Sequence, residues 1–266
     1  MGLSLRGTLM TDTVHPVVGQ VLADRPDSPA HPAAKRKATD GRRVLATLVS
    51  GVAAGAVGGT AVWFGFRWLA PSVAPSVITQ VVVAVVYLTL IASLAISFRP
   101  AGQGPLDFRF TSVRVLGLAC MAWVGFVAVA LVVNLTISPL TGGLVEAARE
   151  IVRLATDAER LQGQPPLAWI IAIPRGCLIV PVFEEFLFRG VLPGWLRAHL
   201  SDRATFIAAA ALFAVMHGYP IVFPSAFVFG LAAGWVRWRT GSTLNTVMMH
   251  ALNNVTMLVS GLVLLR

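Results

Sequence analysis

Apolar residues gather along this chain in long runs separated by short polar breaks. The runs extend over Val44–Leu69, Ser76–Phe98, Ser112–Ser138 and Leu167–Leu192, then over Arg203–His217, Val222–Trp238 and Thr243–Leu265. About 20 apolar residues in a helix cross a hydrocarbon core of about 30 Å. The pattern therefore predicts an all-α, polytopic transmembrane helix bundle of about seven spans. The fifth and sixth runs are short and separated only by Gly218-Tyr219-Pro220-Ile221, so they read as two spans or one broken pair.

A second pattern lies between the third and fourth runs. Leu144, Ala147, Ala148, Ile151, Leu154, Ala155 and Ala158 recur at helical spacing, while Glu146, Arg149, Glu150, Arg153, Asp157, Glu159 and Arg160 fill the other face. That predicts one amphipathic helix over Leu144–Leu161 at the membrane surface, its charges a solvated face. The organisation expected is a disordered cytoplasmic tail over 1–43, transmembrane helices over 44–140, an amphipathic connector over 141–164 and a polar-bearing transmembrane domain over 165–266. The tail has scattered Pro, Asp, Ser and Ala and no apolar period. Gly51, Gly55, Gly58 and Gly59 form a small-residue face in the first run, suited to close helix packing.

Composition agrees: 56% of residues are hydrophobic and only 12% charged, where soluble domains carry about 25% charge. The net charge of +9 is distributed as a topogenic signal rather than a nucleic-acid surface, and no nucleic-acid partner is expected. Lys35, Arg36, Lys37, Arg42 and Arg43 precede the first run. Alternating from a cytoplasmic N-terminus, the inside loops also receive Arg99, Arg109, Arg114, Arg197, Arg203, Arg237 and Arg239, against Arg67, Arg149, Arg153, Arg160 and Arg266 outside. A chain rich in Ala, Val and Arg and poor in Lys reads as a bacterial plasma-membrane protein. The first run begins too late and is too long for a cleaved signal peptide. Cys120 and Cys177 both fall inside spans, so no disulfide framework is expected.

Charge inside the fourth run changes the picture. Pro181-Val-Phe-Glu-Glu-Phe-Leu-Phe-Arg-Gly190 places Glu184, Glu185 and Arg189 at bilayer depth, where each charge costs about 2.5–3.5 kcal/mol. Glu185 and Arg189 stand at i, i+4 with the acid first, the favoured order for a pair. Glu184 points about 100° away and lacks a local counter-charge, which suits a general base; a bracing role for both acids is the alternative. Pro174, Pro181 and Pro193 invite kinks, and irregular backbone at this depth is tolerated where it lines a cavity. His217 closes the fifth run, and His250 shares a helical face of the seventh with Asn254 or Asn253. A carboxylate, a histidine and a His/Asn donor pair on three spans are the parts of an acyl-hydrolysis site.

Glu184-Glu185-x-x-x-Arg189, Phe213-x-x-x-His217 and His250-x-x-x-Asn254, in this order on successive spans, resemble the CPBP family of intramembrane proteases, also called the CAAX prenyl protease type II or abortive-infection family. Phe227-x-x-Gly230-x-x-x-Gly234 and Thr240-Gly241-Ser242 resemble its glycine-bearing span and following turn, and the resemblance covers roughly residues 165–260. It implies that Glu184 and His217 activate water, that Glu185 and Arg189 pair and shape the site, and that His250 and Asn254 donate to the oxyanion. The implied substrate is a membrane-embedded or lipidated peptide within the lipid bilayer, met from the bilayer or the cytoplasmic side. No cofactor is required on that reading. Zinc held by Glu184, His217 and His250 is a live alternative, since a bound zinc lowers the pKa of its water to about 7. Two other classes are a non-proteolytic membrane scaffold or bacteriocin-immunity protein, and a proton-coupled transporter using Glu184 and His217. The His250/Asn254 donor pair and the lack of an internal repeat favour hydrolysis.

Overall fold

A computed structural model describes residues 40–98, 108, 112–140, 142–156 and 158–265. Among them the secondary structure is helical: α1 (Gly41–Leu69), α2 (Pro75–Ser97), α3 (Val113–Ile137), α4 (Leu144–Ala155), α5 (Ala158–Leu161), α6 (Pro166–Leu196), α7 (Asp202–Met216), α8 (Phe223–Thr240) and α9 (Thr243–Leu264). The tail expected over 1–43 lies outside the described residues up to residue 39. Gly41, Arg42 and Arg43 instead open α1, where the Arg42 N–H donates to the Asp40 carboxylate at 3.0 Å.

Among the described residues five helices are long and apolar enough to cross a membrane: α1, α2, α3 extended to Leu140, α6 and α9. The two short runs become α7, of 15 residues, and α8, of 18. At 1.5 Å per residue they reach only about 22 and 27 Å, short of a core of about 30 Å.

Successive long helices run in alternating directions. The small-residue face of α1 meets α2 antiparallel: a Cβ on Gly51 would lie 3.0 Å from Leu90, one on Gly55 3.3 Å from the Val86 backbone and one on Gly59 3.0 Å from Val82. α2 runs parallel to α6, with Arg175 donating to Gln80 at 2.9 Å and Tyr87 edge-on to Phe183. α3 and α7 both lie antiparallel to α8, matching Phe126 with Phe229 and Ala210 with Gly230. One face of the bundle therefore holds the starts of α1, α3, α7 and α9; the other holds their ends and the connector.

The connector departs from the single surface helix expected over Leu144–Leu161. It breaks into α4 and α5 at Thr156, whose backbone is extended (φ −133°, ψ 161°) and whose hydroxyl accepts from the Ala158 N–H at 3.2 Å. Its apolar side, with Ala147, Ile151 and Val152 buried, packs on α3 and on the last turns of α9. Arg149 and Gln162 each donate at 3.0 Å to the carbonyls of Leu264 and Leu265, groups that a helix end leaves without partners. The connector thus caps the bundle. On its exposed side Arg153 binds both carboxylate oxygens of Glu150, at 2.7 and 2.8 Å, and holds that carboxyl below the usual range.

Candidate active site

The glutamates sit on a helix that changes pitch twice. Within α6, α-helical turns at Pro166–Pro174, Val180–Glu185 and Leu192–Leu196 alternate with π-helical turns at Arg175–Ile179 and Phe186–Val191. The prolines explain the placement. Pro181 and Pro193 have no N–H to offer, and their rings press on the carbonyl four residues back, which a widened turn relieves. Each π turn closes one residue before a proline, with Val180 N–H on Arg175 O and Leu192 N–H on Leu187 O. The kinks expected at the prolines are widened turns in a continuous helix, and such turns frequently mark functional sites.

Widening frees a backbone acceptor. Val180 N–H, the α-helical donor for Gly176 O, is spent on Arg175, and the next donor would be Pro181, which has none. The Asn254 side chain of α9 supplies the missing bond, Nδ2 donating to Gly176 O at 2.9 Å. Asn253 Nδ2 approaches Asn254 Oδ1 at 3.5 Å. One residue's amide is thereby fixed against the catalytic-looking helix, and a second N–H on the same nitrogen stays available.

Glu185 is fully buried and sits 3.0 Å from Arg189 Nη1, the i, i+4 partner expected of it. Arg189 lies over the Phe213 ring at 4.4 Å and reaches Gly230 O at 3.4 Å, tying α6 to α7 and α8. Gly230 permits the approach, since a Cβ there would come within 2.9 Å of the Ala210 backbone. Glu185 also accepts from His250 Nδ1 at 2.8 Å. The opposite ring nitrogen, Nε2, faces Glu184 Oε2 at 3.7 Å. That carboxylate oxygen is buried without a hydrogen-bond partner among the described residues.

His217 follows the last residue of α7, and its Nδ1 stands 2.9 Å from Phe213 O. A carbonyl only accepts, so Nδ1 carries the proton and Nε2 of the neutral ring is left as an acceptor. Phe213 packs between the two imidazoles, 4.7 Å from His217 and 5.8 Å from His250 by ring centroids. His217, just past the end of α7, and His250 line one cavity without touching.

A cavity of about 640 Å³ joins these groups, lined by Glu184, His217, His250, Asn253, Asn254 and Arg175 among others. Glu185 and Arg189 stand behind it as its support. Half-exposed Val127 and Leu131 of α3 and Ile173 of α6 also line it, so part of its wall is open to lipid. Its far end reaches Arg153, Glu159 and Arg160 of the connector. Glu184, His217 and His250 share the cavity, yet among the described residues no three His, Cys, Asp or Glu are grouped closely enough to hold a metal ion.

Sequence reasoning passed over Gly176, whose free carbonyl positions Asn254, and the connector's contribution to the cavity. The first had a readable signal, a proline five residues after a glycine in a helix. The second had none, because the connector's charged face looks like any solvated one.

Residues 166–256 match the family model described as type II CAAX prenyl endopeptidase Rce1-like. No curated protein and no solved structure matches the chain.

Proposed function

We propose, from the match of residues 166–256 to the type II CAAX prenyl endopeptidase family model, that the chain hydrolyses a peptide bond of a membrane-embedded or lipidated polypeptide inside its cavity. One observation carries the reading: Glu184, His217, His250 and Asn254, from three helices, converge on a single hollow at membrane depth. Glu184 and the acceptor nitrogen of His217 take a proton from water, whose oxygen bonds to the substrate carbonyl carbon. The resulting oxyanion accepts from the remaining Asn254 N–H and from Nε2–H of His250, which donates there as an imidazolium because its Nδ1–H is already given to Glu185; such donors contribute about 2.7–4 kcal/mol each in sites of this type. The tetrahedral intermediate collapses as the C–N bond breaks and the departing amine takes the proton.

Glu185 and Arg189 act on this chemistry through His250. With Nδ1–H bound to Glu185, the ring is turned so that Nε2 faces the cavity, the logic by which a buried carboxylate orients a catalytic histidine. No step runs through a metal. The bilayer supplies the substrate through the open wall at Val127, Leu131 and Ile173. The arginine distribution supports a cytoplasmic N-terminus in a bacterial plasma membrane.

The test is cleavage of membrane peptides, lipidated and unlipidated, by the detergent-purified protein and by its Glu184→Ala variant. Turnover by the wild type alone supports the reading. Equal rates for both would remove Glu184 from the mechanism.

A further inference from the structure

α3 carries a single amide side chain, Asn134, and that residue falls on the face of the helix that lines the cavity. Phe126, Val127, Ala130 and Leu131 share that face with it at helical spacing. The hydroxyls that follow it are satisfied on their own backbone, Thr136 donating to Val132 O and Ser138 to Leu135 O, both at 2.9 Å. Asn134 has no such outlet. Its Oδ1 accepts from Ser225 Oγ of α8 at 3.5 Å, and its Nδ2 donates to no described residue. An amide held among apolar side chains costs free energy until something hydrogen-bonds to it.

Asn134 and Ser225 are the polar groups that α3 and α8 give to the cavity; their neighbours on that wall are Ala130, Leu131, Val222 and Ala226. The two present complementary functions. Asn134 Nδ2 donates, while Ser225 Oγ, its own proton directed to Asn134 Oδ1, accepts. A partner that satisfies both must bring an acceptor and a donor together. A peptide unit does so, and a lipid chain brings neither.

The distance from the reacting groups fits a peptide. Ser225 stands one helical turn before Phe229, about 6 Å at about 1.5 Å per residue. The Phe229 ring lies 4.8 Å from that of His250. An extended chain advances about 3.3 Å per residue. A segment whose scissile carbonyl meets His250 and Asn254 therefore passes Asn134 and Ser225 about two residues away.

Resting on the protease reading, we propose that Asn134 and Ser225 bind the main chain of the substrate. The C=O and N–H of a residue about two positions from the cut bond meet Asn134 Nδ2 and Ser225 Oγ, which holds an extended segment in register with Glu184. The contact selects an extended polypeptide without requiring a particular side chain there. It also gives α3, which lies outside the matched residues 166–256, a part in recognition.

The test uses the purified full chain in detergent with two fluorogenic probes, a farnesylated peptide and an unlipidated membrane-spanning one, and Glu184→Ala as the blank. Asn134→Leu removes the donor at similar volume, and Ser225→Ala removes the acceptor, so each half of the contact has its own variant. A hydrogen bond made in both ground and transition states acts on KM. Each variant is expected to raise KM about 3–10-fold, with kcat changed by less than about twofold and Tm within about 2 °C of the wild type. A purely structural tie between α3 and α8 would lower Tm in both variants and leave KM unchanged, which overturns the proposal. The same peptides are then made with one backbone N–H at a time, within about three residues of the cut, replaced by an ester oxygen. At one position the ester should raise KM about 3–10-fold for the wild type and leave Ser225→Ala unaffected. If no position shows that overlap, the contact with the main chain is overturned, while turnover by the wild type preserves the protease reading. If the wild type cleaves neither probe, the protease reading fails and this proposal falls with it.

Discussion

Replacing Arg189 by alanine is expected to damage this protein far more than replacing Glu184, although both are charges at membrane depth. Arg189→Ala removes the guanidinium 3.0 Å from a fully buried Glu185, leaving that carboxylate with His250 and the Thr246 hydroxyl but no arginine. It also removes the contact at 4.4 Å with Phe213 and the link to Gly230 O, so α6 loses one tie to α7 and one to α8. Breaking one side of a buried ion pair costs about 3–5 kcal/mol. At about 2–4 °C per kcal/mol for a chain of this size, Tm should fall by roughly 6–20 °C. Glu184→Ala removes a group that makes no hydrogen bond at Oε2 and borders a cavity, so its Tm should stay within about 2 °C of the wild type. The assay is thermal unfolding of the purified proteins in one detergent, with yield of monodisperse protein as a second readout. Equal melting temperatures for the two variants would refute the assignment of Arg189 as the counter-charge of Glu185.

Other consequences are independent of that pair. Asn254→Ala should lower kcat about 10²–10³-fold in the peptide assay with little change in melting, as loss of an oxyanion donor does; an undiminished kcat contradicts the role. Pro181→Ala supplies the N–H that Gly176 O lacks, so it should compete with Asn254 and cost up to about 10²-fold in rate while leaving stability equal or higher. Loss of stability without loss of rate would mean that the widened turn serves folding alone. Gly230→Ala places a Cβ 2.9 Å from the Ala210 backbone and should destabilise by about 1–3 kcal/mol, read as a lower Tm. Chelator dialysis should leave turnover unchanged, and loss restored by added zinc would reinstate the metal reading.

Much of the fold was legible because lipid imposes a simple rule: a crossing helix must be long and apolar, and α1, α2, α3, α6 and α9 all are. The Glu185–Arg189 pair was legible for a local reason, since i, i+4 spacing in a helix brings the two side chains together whatever surrounds them. What the sequence hid depends on neighbours far along the chain. Nothing in Leu144–Leu161 says that its apolar side meets α9 rather than lipid, because a protein surface in a membrane and the lipid itself are equally apolar. If every run crossed fully, His217 at the outer end of the fifth and His250 about seven residues from the cytoplasmic end of the seventh would lie at different depths. α7 stops at Met216, two residues before Gly218 at φ +75° and four before Pro220, so His217 lies at the end of a helix too short to cross. The widened turns of α6 lie between these cases. The prolines announce a disturbance, but whether a helix kinks, breaks or widens is decided by what packs around it.

The most direct measurement is single-turnover cleavage of a membrane peptide by the wild type and by Glu184→Gln, which keeps the side chain's shape and removes its basicity. The account requires that the glutamine variant melt with the wild type and leave the peptide intact. Cleavage by Glu184→Gln at an undiminished rate would contradict it, because the carboxylate facing His250 in the cavity would then have no part in activating water.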